Sequence, residues 1–169
     1  MSELIGTEQP FVREDDIPAA FRAIVAEGWI VDECGAQLLK SLRAGYSGAT
    51  CDEAGDVVHF EATVNGRGMM DYDLPQSGLD RQNQLMRRSL AYACAALQAA
   101  PANHEWPVLG YVSLSEGGLD DDLQTAHVTF CSSRPSVPRY VEDLDAYTQE
   151  ALLEVSREDA AALLSGSEN

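Results

Sequence analysis

The chain has 169 residues, with 28 acidic against 11 basic side chains, a net charge of −17 and 45% apolar residues. That length and apolar content suit one domain with a real core and exclude a disordered chain. The charge works against binding nucleic acid phosphates or an anionic membrane, and no stretch approaches the roughly 18 consecutive apolar residues of a membrane span.

The opening residues lack the basic and apolar regions of a secretory signal, so a cytoplasmic location is expected. Residues 1–15 read as a loosely ordered arm, 16–165 as a single domain, and 166–169 as a frayed tail. Asp16 offers a helix N-cap ahead of Ile17-Pro18, and Phe21, Ile24, Val25 and Trp29 follow at helical spacing, with Gly28 weakening the end. Asp32 can cap a second helix carrying Cys34, Leu38, Leu39 and Leu42, closed by Gly45 and Gly48.

The period then changes to two. Across residues 56–65, Val58, Phe60, Ala62 and Val64 alternate with Val57, His59, Glu61 and Thr63, the pattern of a half-buried strand. Asn65-Gly66-Arg67-Gly68 reads as a turn and residues 69–74 as the returning strand. A short strand at 49–52 precedes them. The longest helix follows, with Ser77 and Asp80 at capping-box spacing. Met86, Leu90, Ala93 and Leu97 form its apolar stripe, and Pro101 closes it. Strands are expected at about 108–115 and 124–132, joined by the acidic loop 116–122. After the Pro135–Pro138 break, a helix is expected over about 140–155 from Val141, Leu144, Tyr147, Ala151 and Val155. Ser156 and Asp159 cap a last helix ending near Ser165. The order is α-α-β-β-(β)-α-β-β-α-α, an α+β fold in which an antiparallel sheet of four to five strands, a meander plus a hairpin, packs with helices.

The four cysteines, Cys34, Cys51, Cys94 and Cys131, form no C-x-x-C pair and read as reduced, mostly buried thiols. His127 and Cys131 are four apart on one strand, roughly 13 Å along it, too far for a catalytic pair. No Gly-x-Ser-x-Gly elbow, Walker loop or Gly-x-Gly-x-x-Gly is present, so no catalytic residue and no cofactor is assigned. Asp120-Asp121-Asp122 lacks the ligand spacing of a calcium loop. His59 and His127, each on the more polar face of an expected strand, could meet on one sheet face and hold a metal; no ligand spacing stronger than strand alternation supports this.

The run Asp-Glu-Ala-Gly-Asp-Val-Val-His-Phe, the hairpin Gly-Tyr-Val-Ser-Leu-Ser-Glu-Gly-Gly and the closing amphipathic helix, set in this element order, resemble the class I type III secretion chaperones and the related YbjN-like proteins. The likeness covers about residues 30–155. It implies a small acidic homodimer that binds an extended protein segment and supplies no catalytic residue. The adjacent Trp29, Ile30 and Val31 and the pair Met69-Met70 are surplus apolar side chains suited to a partner surface. Asp120, Asp121 and Asp122 are the acidic counterpart. The expected function is therefore a non-enzymatic acidic protein-binding module engaging a protein segment or basic partner. The alternatives are an immunity or inhibitor protein that neutralises a basic toxin, and a metal or enzymatic protein built on His59 and His127.

Overall fold

A computed structural model describes residues 12–116, 123–146 and 150–165. The fold is α+β, with a two-stranded and a four-stranded antiparallel sheet packed against helices. The arm expected over 1–15 is described from Val12, which is buried at 1% exposure; the tail at 166–169 lies outside the described residues.

Helix α1 (Ala19–Glu27) starts after Pro18 rather than Asp16. Asp16 instead closes a 3-10 turn at Glu14–Asp16, its carboxylate accepting from the Arg13 amide. Gly28, at φ +74°, ends α1 and turns the chain straight into a strand. Trp29–Val31 (β1) pairs with Gln37–Leu39 (β2), and only Lys40–Ala44 (α2) is helical in the segment expected to form one helix from Asp32. Asp32 starts a tight turn instead: its side chain accepts from the Glu33 amide, its amide donates to Ala36 O, and Gly35 takes a φ of +78° open to glycine.

The largest departure is at residues 56–65, expected as a strand and found as helix α3 (Val57–Val64). Asp56 caps it by accepting from the His59 amide at 2.9 Å. No strand forms at 49–52, where the chain enters a turn at Cys51, or at 69–74; the short strand Arg67–Gly68 (β3) falls instead inside the segment expected as a turn. The Met69 amide extends that ladder by one bond, to Ala126 O.

The central helix α4 (Leu79–Ala99) and the strands β4 (Val108–Glu116) and β5 (Gln124–Ser132) stand where the sequence placed them, but the expected Ser77–Asp80 cap does not form and Gly78, at φ +94°, starts α4 without a side-chain cap. The expected helix over 140–155 does not form. Leu144–Ala146 is a 3-10 turn and Glu150–Val155 is strand β6, antiparallel to β4. Helix α5 (Arg157–Ser165) starts at the expected Ser156–Asp159 cap, with Ser156 Oγ donating to Asp159 at 2.6 Å.

The four strands run β3-β5-β4-β6. One face carries Val112, Leu114, Val128, Phe130 and Val155 into the main core beneath α4. There Tyr92 stacks edge-on to Phe21 at 4.8 Å and to Phe130 at 5.5 Å. The other face buries Tyr111 and Cys131 against Val58 and Ala62 of α3 and Val141. Helix α3 thus lies between the sheet and the β1–β2 hairpin, whose Leu38 packs on Phe60 and Val64.

Candidate functional site

The residues after β3 leave the sheet with Asp71, Tyr72 and Asp73 in sequence. Their two carboxylates reach back to α4. Asp71 pairs with the buried Arg81, whose guanidinium also donates to Gln124 O and Pro75 O. Asp73 pairs with Arg88 at 2.5 Å, and Arg88 donates to Met70 O at 2.9 Å. The Arg88 guanidinium holds the Asp73 carboxyl at about 2, well below the ordinary carboxylate value. With residues i and i+2 tied inward, the side chain between them points out. Tyr72 is 90% exposed.

Beside Tyr72 a groove of 380 Å³ opens between this loop and the start of α1. Met70 (37% exposed) and Tyr72 give it an apolar wall, and Asp15, Asp16 and Asp73 line it with Arg22 and Arg88. It has the size to take one or two side chains of a partner, with an aromatic anchor and carboxylates within it.

The apolar candidates from the sequence divide. Trp29 is a core residue: its indole N–H donates to Ala96 O at 3.0 Å, and its ring meets Phe130 edge-on at 5.8 Å. Met69 is buried at 6% exposure. Ile30 packs against the cluster of Leu38, Phe60 and Val64. Only Val31, 60% exposed, and Met70 face outward, and Val31 does not line the groove. The three neighbours Trp29, Ile30 and Val31 lie on a strand, so they alternate faces rather than crowding one helix face. Asp120, Asp121 and Asp122 lie outside the described residues. Tyr72 was missed in the sequence because residues 69–74 read as an alternating strand; the available signal was an aromatic flanked by two aspartates, opposite Arg81 and Arg88 on a helix.

No protein family, curated protein or solved structure matches this chain.

The shared histidine face does not exist, because His59 is on α3 and His127 on β5. His59 Nδ1 hydrogen-bonds Asp56 at 2.8 Å and its ring lies 5.8 Å from Tyr140. His127 faces Gly66, where a Cβ would come within 3.0 Å of its ring. Among the described residues, no three His, Cys, Asp or Glu side chains are grouped to hold a metal ion.

A wider cleft of 520 Å³ is lined by His104, Trp106, Ser156 and Arg157 among others. Burial lowers the basicity of His104, whose Nδ1 lacks a partner among the described residues. The one hydroxyl there, Ser156 Oγ, is committed to the α5 cap through Asp159, so the cleft offers a base without an activated nucleophile. Among the described residues no helix is long and apolar enough to cross a membrane.

Proposed function

We propose that this chain is a non-enzymatic, acidic protein-binding module that docks a basic protein segment over the Met70–Tyr72 groove. The observation that carries this reading is Tyr72: a tyrosine 90% exposed beside a groove, on a loop clamped by two ion pairs. An exposed tyrosine has only two side-chain torsions to lose on binding and buries a large area on contact. The −17 charge supports a basic partner, drawn in by long-range attraction.

An extended segment as the ligand and a homodimer as the working unit are what the resemblance to secretion chaperones and YbjN-like proteins implies; of the features behind it the hairpin strand from Gly110 stands, while residues 57–64 are a helix and 150–155 a strand. Strand β6 is the last in its sheet order and offers an edge for a second copy. The charge also supports a second reading, in which the partner is a folded basic toxin that the chain inhibits.

Affinity isolation from the native host tests both. A protein partner is expected on the native chain and is lost from a Met70→Ser, Tyr72→Ser variant with unchanged circular dichroism. Recovery of the same partner by the variant, or recovery of none alongside turnover of a small molecule, overturns the proposal. A partner whose own enzymatic activity is quenched on binding selects the inhibitor reading over the chaperone-like one.

A further inference from the structure

Two of the four cysteines are neither buried in the core nor isolated. Cys34 is exposed at the tip of the β1–β2 turn, and Cys51 is half-buried in the loop before α3. They are 17 positions apart and line one pocket of 240 Å³ together with Asp32, Arg43 and Tyr46. Both side chains face the same small pocket, and the electrostatic influence of Cys34 reaches Cys51. Each thiol is placed by its own set of bonds. The Cys34 turn is held by Gly35 N donating to Asp32 O and by Arg134 donating to Gly35 O at 2.7 Å. The Cys51 turn is held by the Thr50 amide and hydroxyl, both donating to Glu53 at 2.8 Å. Two thiols lining one small pocket on separately anchored turns have already lost much of the chain entropy that closing a bond between them would cost.

We propose that Cys34 and Cys51 are a reversible modification site, a dithiol that low-molecular-weight disulfides oxidise to an intramolecular disulfide. The exposed Cys34 loses its proton to solvent and its thiolate attacks one sulfur of the small disulfide. That S–S bond breaks, and the leaving thiolate takes up a proton. Cys51 then gives up its proton and attacks the Cys34 sulfur of the mixed disulfide, expelling the second small thiolate, which is protonated in turn. Two protein thiols and one small disulfide become one protein disulfide and two small thiols. The protein sulfurs lose two electrons and the reagent gains them.

The order of attack follows from the site. Burial above all pushes the Cys51 thiol up to about 12. Cys51 is thus the proton-holding partner, and the solvent-facing Cys34 is the nucleophile. The bond would tie the hairpin tip to the loop entering α3 across the mouth of the pocket.

The test incubates the native chain with oxidised glutathione and reads intact mass, peptide mapping and thermal unfolding. Expected are a loss of about 2 Da, a single cross-linked peptide pair joining Cys34 to Cys51, and a Tm higher by roughly 5–10 °C, all reversed by dithiothreitol. The Cys51→Ser variant is expected to accumulate a stable glutathione adduct on Cys34, and Cys34→Ser to remain unmodified. A native chain that stops at the Cys34 adduct, that cross-links to a second copy through Cys34, or that reacts at the buried Cys94 or Cys131 overturns the proposal.

Discussion

Glu61 is fully buried and accepts four hydrogen bonds. Oε1 takes the Gln37 amide at 2.8 Å and Arg134 at 2.7 Å, and Oε2 takes the Ser132 amide and hydroxyl, both at 2.6 Å. Arg134 in turn donates to Ser132 Oγ and Gly35 O, so this one carboxylate ties β2 to the end of β5 and the residues just after it. Read as a strand, residues 56–65 placed Glu61 on the solvated face opposite Val58 and Phe60, which hid it completely. A lone glutamate within an apolar run carries no mark that distinguishes solvent from a buried partner far away in sequence. Removing one member of a buried ion pair typically costs about 3–5 kcal/mol. Glu61→Gln is expected to cost about that much, since its amide N–H would face the Gln37 or Ser132 donors. Two of the four donors are backbone amides, each worth about 1–3 kcal/mol if left buried without an acceptor. A Glu61→Leu, Arg134→Leu double variant should therefore stay destabilised. Urea unfolding decides: recovery of the native midpoint in the double variant would mean that the ion pair, not the amides, sets the energy.

At the scale of elements, the strands β4 and β5 and the helix α4 were legible because each is long and keeps one period throughout. The departures at residues 56–65 and 140–155 share a cause. Helix α3 is covered on two sides, by the hairpin and by the sheet, and so buries Val58, Phe60, Glu61, Ala62 and Val64. A helix buried on two sides loses its 3.6-residue stripe, and the remaining apolar residues alternate by chance. Strand β6 turns Ala151, Leu153 and Val155 toward α4 and Glu150, Leu152 and Glu154 to the other face, so its alternation is short and is broken by Leu152. Its residues Ala151 and Val155 fell in step with Val141 and Leu144 and imitated a helix. The deciding signal for α3 was local: Asp56 ahead of His59 is a helix cap, and it also reads as a turn residue before a strand. Burial works to raise the Asp56 carboxyl, but the bonds from the His59 amide and ring outweigh it and the net shift is downward. A carboxylate lowered in the folded state stabilises the fold above its unfolded value, near 3.8, and that contribution is lost as pH falls through the lower folded value. Asp56→Ala should cost about 1 kcal/mol at neutral pH. The gap between variant and native chain should close below pH 3.8. Chemical unfolding at pH 7 and in acid measures both; a gap that persists in acid would show that the side chain acts by packing and not as a charged cap.

At the scale of the whole molecule, charge and fold meet in where the cations are used. Among the described residues, Arg43, Arg81, Arg88, Arg134 and Arg139 are each bound to a carboxylate, against a chain total of 11 basic residues. These pairs fasten loops to helices and strands rather than offset the acidic surface facing them, so the repulsion among the remaining carboxylates acts over long range. That repulsion was readable from composition; the groove that gives it a direction was not, because it depends on where Asp71 and Asp73 find their arginines. The Debye length falls from about 30 Å at 0.01 M to about 8 Å at 0.15 M salt. Two opposite responses are expected over that range. The Tm of the isolated chain should rise, since screening relieves self-repulsion in the compact state. The association rate with a basic partner should fall by about tenfold or more, while the dissociation rate, set by burial of Tyr72 and Met70, changes little. Differential scanning calorimetry and surface-immobilised kinetics measure the two independently. A Tm that rises without any change in association rate would leave the charge as a solubility device. A dissociation rate that climbs steeply with salt would place the ionic contacts, not Tyr72 and Met70, at the centre of the interface.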